Sequence, residues 1–199
     1  MRNQPAKSEP NWGSVALVTY LPDPLGAFLT KLRCYFPGED QPEAHITLLP
    51  PRALTLPLKA ASQLISQALD GIKPFELELG QIKAFPHTNM LYLSIERGVE
   101  ELLRLHRFLN QGELFAHEHF EYIPHLTLSG PLTGDELRGA VGRANEAWNG
   151  AAHERVFLVN EVVLLWQPGA CSEKGWNRVT SFSVLKSARG DSSSARVGS

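Results

Sequence analysis

The stretch Ala44-His45-Ile46-Thr47-Leu48 recurs eighty positions later as Pro124-His125-Leu126-Thr127-Leu128. On a β-strand, successive side chains point to opposite faces. The His and Thr of each copy therefore share one face, and the two aliphatics share the other. Each copy offers an imidazole and a hydroxyl to a cleft and buries two aliphatics behind them, which holds the polar pair rigid. Two such copies predict one composite site, with an imidazole and a hydroxyl from each half.

Working outward, the elements around the copies repeat as well. Ser14–Tyr20 is β-branched and apolar, a strand. Pro24–Phe36 carries Leu25, Phe28, Leu29 and Leu32 at helical spacing, with Asp23 as its cap. His45–Leu49 reads as a short strand ending at Pro50-Pro51, and Leu58–Leu69 as an amphipathic helix. In Phe75–Ile82, Phe75, Leu77 and Leu79 alternate with Glu76 and Glu78, the pattern of a half-buried strand. The second half replays this order: strand Met90–Ile95, helix Val99–Asn110, strand His125–Leu128, helix Asp135–Trp148. Two long strands, Val156–Trp166 and Trp176–Leu185, complete it.

This order predicts an α+β fold, bilobal and duplicated, with two mostly antiparallel sheets around a central cleft and helices outside. Residues 13–186 would form one domain with lobes of roughly 13–89 and 90–186, between which strands can exchange. Residues 1–12 read as a loose lead and 187–199 as a disordered tail.

Composition narrows the function. The chain has 199 residues, 43% hydrophobic and 20% charged, as an ordinary globular protein does. No segment has the roughly 18 unbroken apolar residues of a membrane span. Two lone cysteines, Cys34 and Cys171, and no signal peptide point to a cytoplasmic protein, expected as a monomer. A net charge of −2 argues against gripping DNA or long nucleic acid by counterion release. An RNA end or a small nucleotide needs only a local basic pocket.

The paired motifs suit acid–base chemistry on a phosphodiester. With a reference pKa near 6.5, one imidazole can be neutral and the other charged at neutral pH. The neutral one takes a proton from water or a ribose hydroxyl, and the charged one protonates the leaving oxygen. Hydroxyls of Thr47 and Thr127 can donate to non-bridging phosphate oxygens. This chemistry calls for no metal and no cofactor.

On these residues the chain resembles the 2H phosphoesterase superfamily, in particular the bacterial 2′-5′ RNA ligase / RNA 2′,3′-cyclic phosphodiesterase group. The resemblance covers roughly residues 14–185, and its specific part is the two tetrapeptides with their flanks. It implies a bilobal α+β fold, His45 and His125 as catalytic residues, and Thr47 and Thr127 as phosphate ligands. It further implies that His125 activates the attacking group and His45 protonates the leaving group. After the first motif the chain continues Leu49-Pro50-Pro51-Arg52, unlike the Phe-Leu-Gly-type continuation of better-known members.

Four rim residues are further candidates for substrate binding. Arg52 follows a rigid Pro-Pro and could pair with phosphate; a solvated loop charge is its ordinary alternative. Phe85, with His87 nearby, could stack on a base. Tyr122 and Trp166 could line the pocket, or pack as core aromatics. Lys83 reads as a surface charge with a weak claim to phosphate. His117-Glu118-His119 is the best metal-ligand pattern, yet surface histidines explain it better. His106 and His153 fit no pattern, and no P-loop is present. The expected activity is hydrolysis of a 2′,3′-cyclic phosphate or a 2′-5′ linkage. The alternatives are an RNA-end 2′-5′ ligase using the same site, or a non-catalytic nucleotide- or RNA-binding module.

Overall fold

The computed structural model describes residues 12–38, 43–169 and 175–184. The expected lead, the tail and Cys171 lie outside these residues, apart from Trp12. The elements are β1 (Ser14–Tyr20), α1 (Leu25–Arg33), β2 (His45–Ala53), α2 (Leu58–Leu69), β3 (Phe75–Ala84) and β4 (Leu91–Arg97). They continue with α3 (Val99–Leu109), β5 (His125–Thr127), α4 (Gly134–Gly150), β6 (Val156–Val159), β7 (Glu161–Gln167) and β8 (Asn177–Ser183). The fold is α+β, with two four-stranded antiparallel sheets ordered β2-β1-β7-β8 and β5-β4-β3-β6. No helix among the described residues is long and apolar enough to cross a membrane.

The two sheets do not follow the two halves of the chain. β3, from the first half, pairs with β4, and β7, from the second, pairs with β1. Each sheet thus has a motif strand at one edge, a partner beside it, and a third strand donated by the other half. Exchange on this scale ties the halves together, because neither sheet is complete without the other half of the sequence.

Two sequence expectations change. Val156–Trp166 is not one strand. It divides at Asn160 into β6, which pairs with β3, and β7, which pairs with β1 and β8. The Asn160 carbonyl accepts from Val184 N–H at 2.7 Å, so the chain turns from one sheet to the other there. Asn160-Glu161 interrupts the apolar run there, but strand periodicity alone does not show that the two pieces belong to different sheets. Likewise β2 does not stop at Pro50-Pro51 but runs on to Ala53. Between the pairs Leu17↔Leu49 and Val15↔Arg52, β1 has one residue and β2 has its two prolines. The missing N–H groups fall in this irregularity on an edge strand, where proline costs little.

Local capping follows the chemistry of the side chains. The Asp23 carboxylate accepts from Ala27 N–H at 2.9 Å in the first turn of α1. Thr133 and Glu136 form a reciprocal capping box at the start of α4. Gly98 adopts φ 85° at the turn from β4 into α3, where a Cβ would stand 2.4 Å from the Glu76 carbonyl oxygen.

The core lies between the sheets and the helices. Ile46, Leu48, Leu126 and Leu128 are completely buried in it, while His45, Thr47, His125 and Thr127 stand half-buried on the opposite face. Full burial stabilises each such aliphatic by roughly 1.5–3 kcal/mol. The alternation that places the polar pairs in the cleft is therefore enforced by the apolar side chains beside them. A one-residue slip would reverse every side chain.

Candidate active site

β2 and β5 are the edge strands of their sheets, and they touch one another. Both motifs thus meet at one cleft. The two imidazoles are held in the same way. His45 Nδ1 lies 2.7 Å from the Glu43 carbonyl, and His125 Nδ1 lies 2.6 Å from the Ile123 carbonyl. A carbonyl only accepts, so each Nδ1 carries the proton and donates it. Nε2 of each neutral ring is left as a bare acceptor, the state a general base needs.

Burial pushes both imidazoles below their ordinary pKa. The hydrogen bond to Glu43 opposes this for His45, while the nearby charges of Arg33 and His125 add to it. For His125 only the bond to Ile123 opposes burial. Arg33 Nη1 donates to the same Glu43 carbonyl at 3.2 Å, which is why its charge acts on His45.

Aromatic rings wall each imidazole. Tyr20 stands opposite His45 in the β1–β2 register and meets it edge-on, with centroids 5.9 Å apart. Phe85 stacks on Tyr92 at 4.1 Å, and both rings meet His125 edge-on, at 4.9 and 5.6 Å. Phe85 therefore joins the cleft. Tyr92 and Tyr20 were missed by sequence reasoning. Tyr92 left a signal, since it alternates with buried Leu91 and Leu93 and so falls on the opposite face of the strand from them. Tyr20 left none, because only strand register places it.

The other rim candidates go elsewhere. Arg52 is buried, and its guanidinium is occupied. Nε donates to Pro50 O at 3.0 Å, Nη1 to Asn110 Oδ1 at 2.6 Å and Leu114 O at 2.8 Å, and Nη2 to Glu118 Oε1 at 2.8 Å. Glu118 in turn pairs with His106 Nε2 at 3.1 Å. His106 stacks on Tyr122 at 3.8 Å, and its Nδ1 donates to Leu48 O at 3.0 Å. The Tyr122 hydroxyl donates to Thr47 O at 2.7 Å, and burial pushes its pKa up. Leu48 is the extra residue between the pairs Leu17↔Leu49 and Val18↔Thr47, so its carbonyl is freed by a β-bulge. Arg52, Glu118, His106 and Tyr122 thus form one buried network behind the first motif, with Tyr122 holding its backbone rather than facing the cleft through its hydroxyl.

Trp166 pairs with Val15, at the end of β1 away from Tyr20 and His45. Five residues along a strand separate them by roughly 17 Å. Its indole N–H donates to Trp12 O at 2.9 Å. The rings of His117 and His119 meet edge-on with centroids 6.0 Å apart, while Glu118 between them turns toward Arg52 and His106. Among the described residues no group of three or more His, Cys, Asp or Glu is placed to hold a metal ion. A cavity of about 510 Å³ between α3 and the start of β3 contains neither motif.

Comparison with known proteins places the chain in a family. A candidate phosphoesterase of Halalkalibacterium halodurans is 29% identical over 134 residues, 63% of this chain and 75% of that protein. One from Oceanobacillus iheyensis is 27% identical over 51% of this chain and 64% of its own length. In fold, the chain is similar to LigT of E. coli, with a TM-score of 0.58 at 14% identity over 88% of this chain and 99% of that one. It is also similar to TT0787 of Thermus thermophilus, with a TM-score of 0.57 at 16% identity, covering 86% and 97%. The model of the 2′-5′ RNA ligase superfamily matches residues 21–170, and the chain belongs to that superfamily.

Proposed function

We propose that this protein is a metal-independent phosphoesterase that hydrolyses a 2′,3′-cyclic phosphate or a 2′-5′ phosphodiester in RNA or a nucleotide. One observation carries the reading: two imidazoles, each with Nδ1 fixed on a backbone carbonyl, stand on strands that meet at one cleft. A Thr lies two residues beyond each, on the same strand face. Family membership supports a phosphoesterase or RNA-ligase chemistry. A solved structure of LigT is a complex with 3′-AMP, which is the kind of ligand this reading expects here.

The chemistry follows from the proton inventory. Two imidazoles this close hold one proton more easily than two, since charge on one disfavours charge on the other. The neutral ring takes a proton from the attacking water through Nε2. The charged ring gives its Nε2 proton to the leaving ribose oxygen as the P–O bond breaks. Thr47 and Thr127 donate hydroxyls to the non-bridging oxygens as negative charge builds. The charge of Arg33, which shares the Glu43 carbonyl with His45, adds to the burial that lowers the His45 pKa. In hydrolysis we keep the roles that the family resemblance implies, His125 as the base and His45 as the acid. In the joining direction the roles exchange.

The test is a substrate panel of nucleoside 2′,3′-cyclic phosphates, 2′-5′ dinucleotides and 5′-hydroxyl RNA ends, read by chromatography with EDTA present. Hydrolysis of one member, lost in both His45→Ala and His125→Ala, supports the reading. Joined product without hydrolysis moves the assignment to ligation. Binding without turnover leaves a non-catalytic module.

A further inference from the structure

Two cations on the cleft side, one on each sheet, have no part in the proton transfers. Lys83 on β3 stands opposite Tyr92 on β4, and Tyr92 stands opposite Thr127 on β5. Directly opposed residues of antiparallel strands share a face. Lys83, Tyr92 and Thr127 therefore form a row on the motif side of the second sheet. Two strand spacings put Lys83 roughly 10 Å from Thr127. Its side is open, because β6 pairs with β3 only along Phe75–Glu78. Lys83 is exposed and makes no ion pair among the described residues.

The first sheet has a counterpart. Arg178 on β8 lies with its guanidinium carbon 3.8 Å from the centroid of the Tyr20 ring, the ring that walls His45. Arg178 also pairs with Glu43, but the two side chains are 54% and 66% exposed. A pair this open to water is weak, so it leaves the guanidinium able to exchange Glu43 for a phosphate. Across the cleft the order is Arg178, Tyr20, first motif, second motif, Tyr92, Lys83: cations outside, aromatics within, motifs at the centre.

A mononucleoside cyclic phosphate fills only the centre of that order. A nucleotide chain crossing the cleft would set its reacting phosphate on the motifs and its neighbouring nucleosides against Tyr20 and the Phe85–Tyr92 stack. Its next phosphates would then fall near Arg178 and Lys83. We infer that Lys83 and Arg178 bind the phosphates flanking the reacting one, so that the site takes an RNA oligonucleotide in preference to a mononucleotide. This rests on the phosphoesterase reading and names its substrate class. It also accommodates the net charge of −2, since two placed cations suffice where a long duplex would need many.

The experiment compares kcat/KM on an RNA tetranucleotide carrying one central 2′-5′ linkage with that on a mononucleoside 2′,3′-cyclic phosphate. The proteins are wild type, Lys83→Ala, Arg178→Ala and Arg178→Lys. The wild type is expected to favour the oligonucleotide by at least about tenfold. Each alanine variant should raise KM for the oligonucleotide and leave the mononucleotide unchanged. Removing one cation should lower the log–log salt slope of oligonucleotide binding by about 0.7. Arg178→Lys should recover most of the loss. Equal preference for both substrates, or equal losses on both in Lys83→Ala, overturns the inference and leaves the phosphoesterase reading standing. A wild-type enzyme that turns over neither substrate overturns that reading, and this inference with it.

Discussion

Replacing Arg52 by Ala tests the buried network most directly. The guanidinium is only 3% exposed and its carboxylate partner 21%. Four hydrogen bonds are lost at once, to Pro50 O, Asn110 Oδ1, Leu114 O and Glu118 Oε1. Removing one member of a buried ion pair costs about 3–5 kcal/mol, because the other charge is left without its partner. Here Glu118 keeps His106, and Asn110 Oδ1 keeps Ala116 N–H at 2.9 Å. The low end, about 3 kcal/mol, is therefore expected. In a domain of this size that lowers Tm by about 10 °C. The assay is urea unfolding followed by circular dichroism, within a double-mutant cycle of Arg52→Ala and Glu118→Ala. The cycle should return about 1–3 kcal/mol of coupling. Arg97, 56% exposed and paired with Glu76 and Glu78, is the internal control, and Arg97→Ala should stay within about 0.5 kcal/mol. An Arg52→Ala cost below about 1 kcal/mol, with no coupling to Glu118, would refute the reasoning. Arg52 would then behave as a solvated loop charge.

Further expectations concern the cleft. His45→Ala and His125→Ala should each lower kcat by about 10²–10⁴-fold with the circular dichroism spectrum unchanged, since both side chains stand off the apolar core. The profile of kcat/KM against pH should be bell-shaped, because one imidazole must be neutral and the other charged. Both are pushed down by burial, so the base loses its proton and the acid loses its own below the ordinary value, and the maximum should fall below about pH 6.5. A maximum above pH 7.5 would contradict this placement. Tyr122→Phe keeps the ring on His106 but strips the 2.7 Å bond from Thr47 O, for an expected loss of about 1 kcal/mol in the same urea assay.

Much of the cleft could be read along the chain. In His45–Leu48 and His125–Leu128, alternation alone separates polar from apolar faces, and the burial of Ile46, Leu48, Leu126 and Leu128 follows it. Phe85 could be placed because it lies in the loop between two expected strands, Phe75–Ile82 and Met90–Ile95, that should rim the cleft. Arg52 could not. Its surroundings come from α3 and the segment after it, more than fifty residues on, and a charge after Pro-Pro looks the same whether solvated or enclosed. His106 is a similar case. On an amphipathic helix it sits at a core-facing position, and only the bulge at Leu48 supplies the carbonyl that makes a buried imidazole tolerable.

By itself, then, the amino-acid order determined the element types, their α+β class and the repeated polar pair, because strand and helix periods are local properties of a few consecutive residues. Tertiary structure alone decided which strands pair, that β3 and β7 change places, and that Asn160 divides one apolar run between two sheets. It likewise decided that Tyr20 and Tyr92 wall the imidazoles while Trp166 lies at the far end of β1. Register and burial depend on partners far along the chain, and those partners are chosen by packing of the whole core rather than by any one segment.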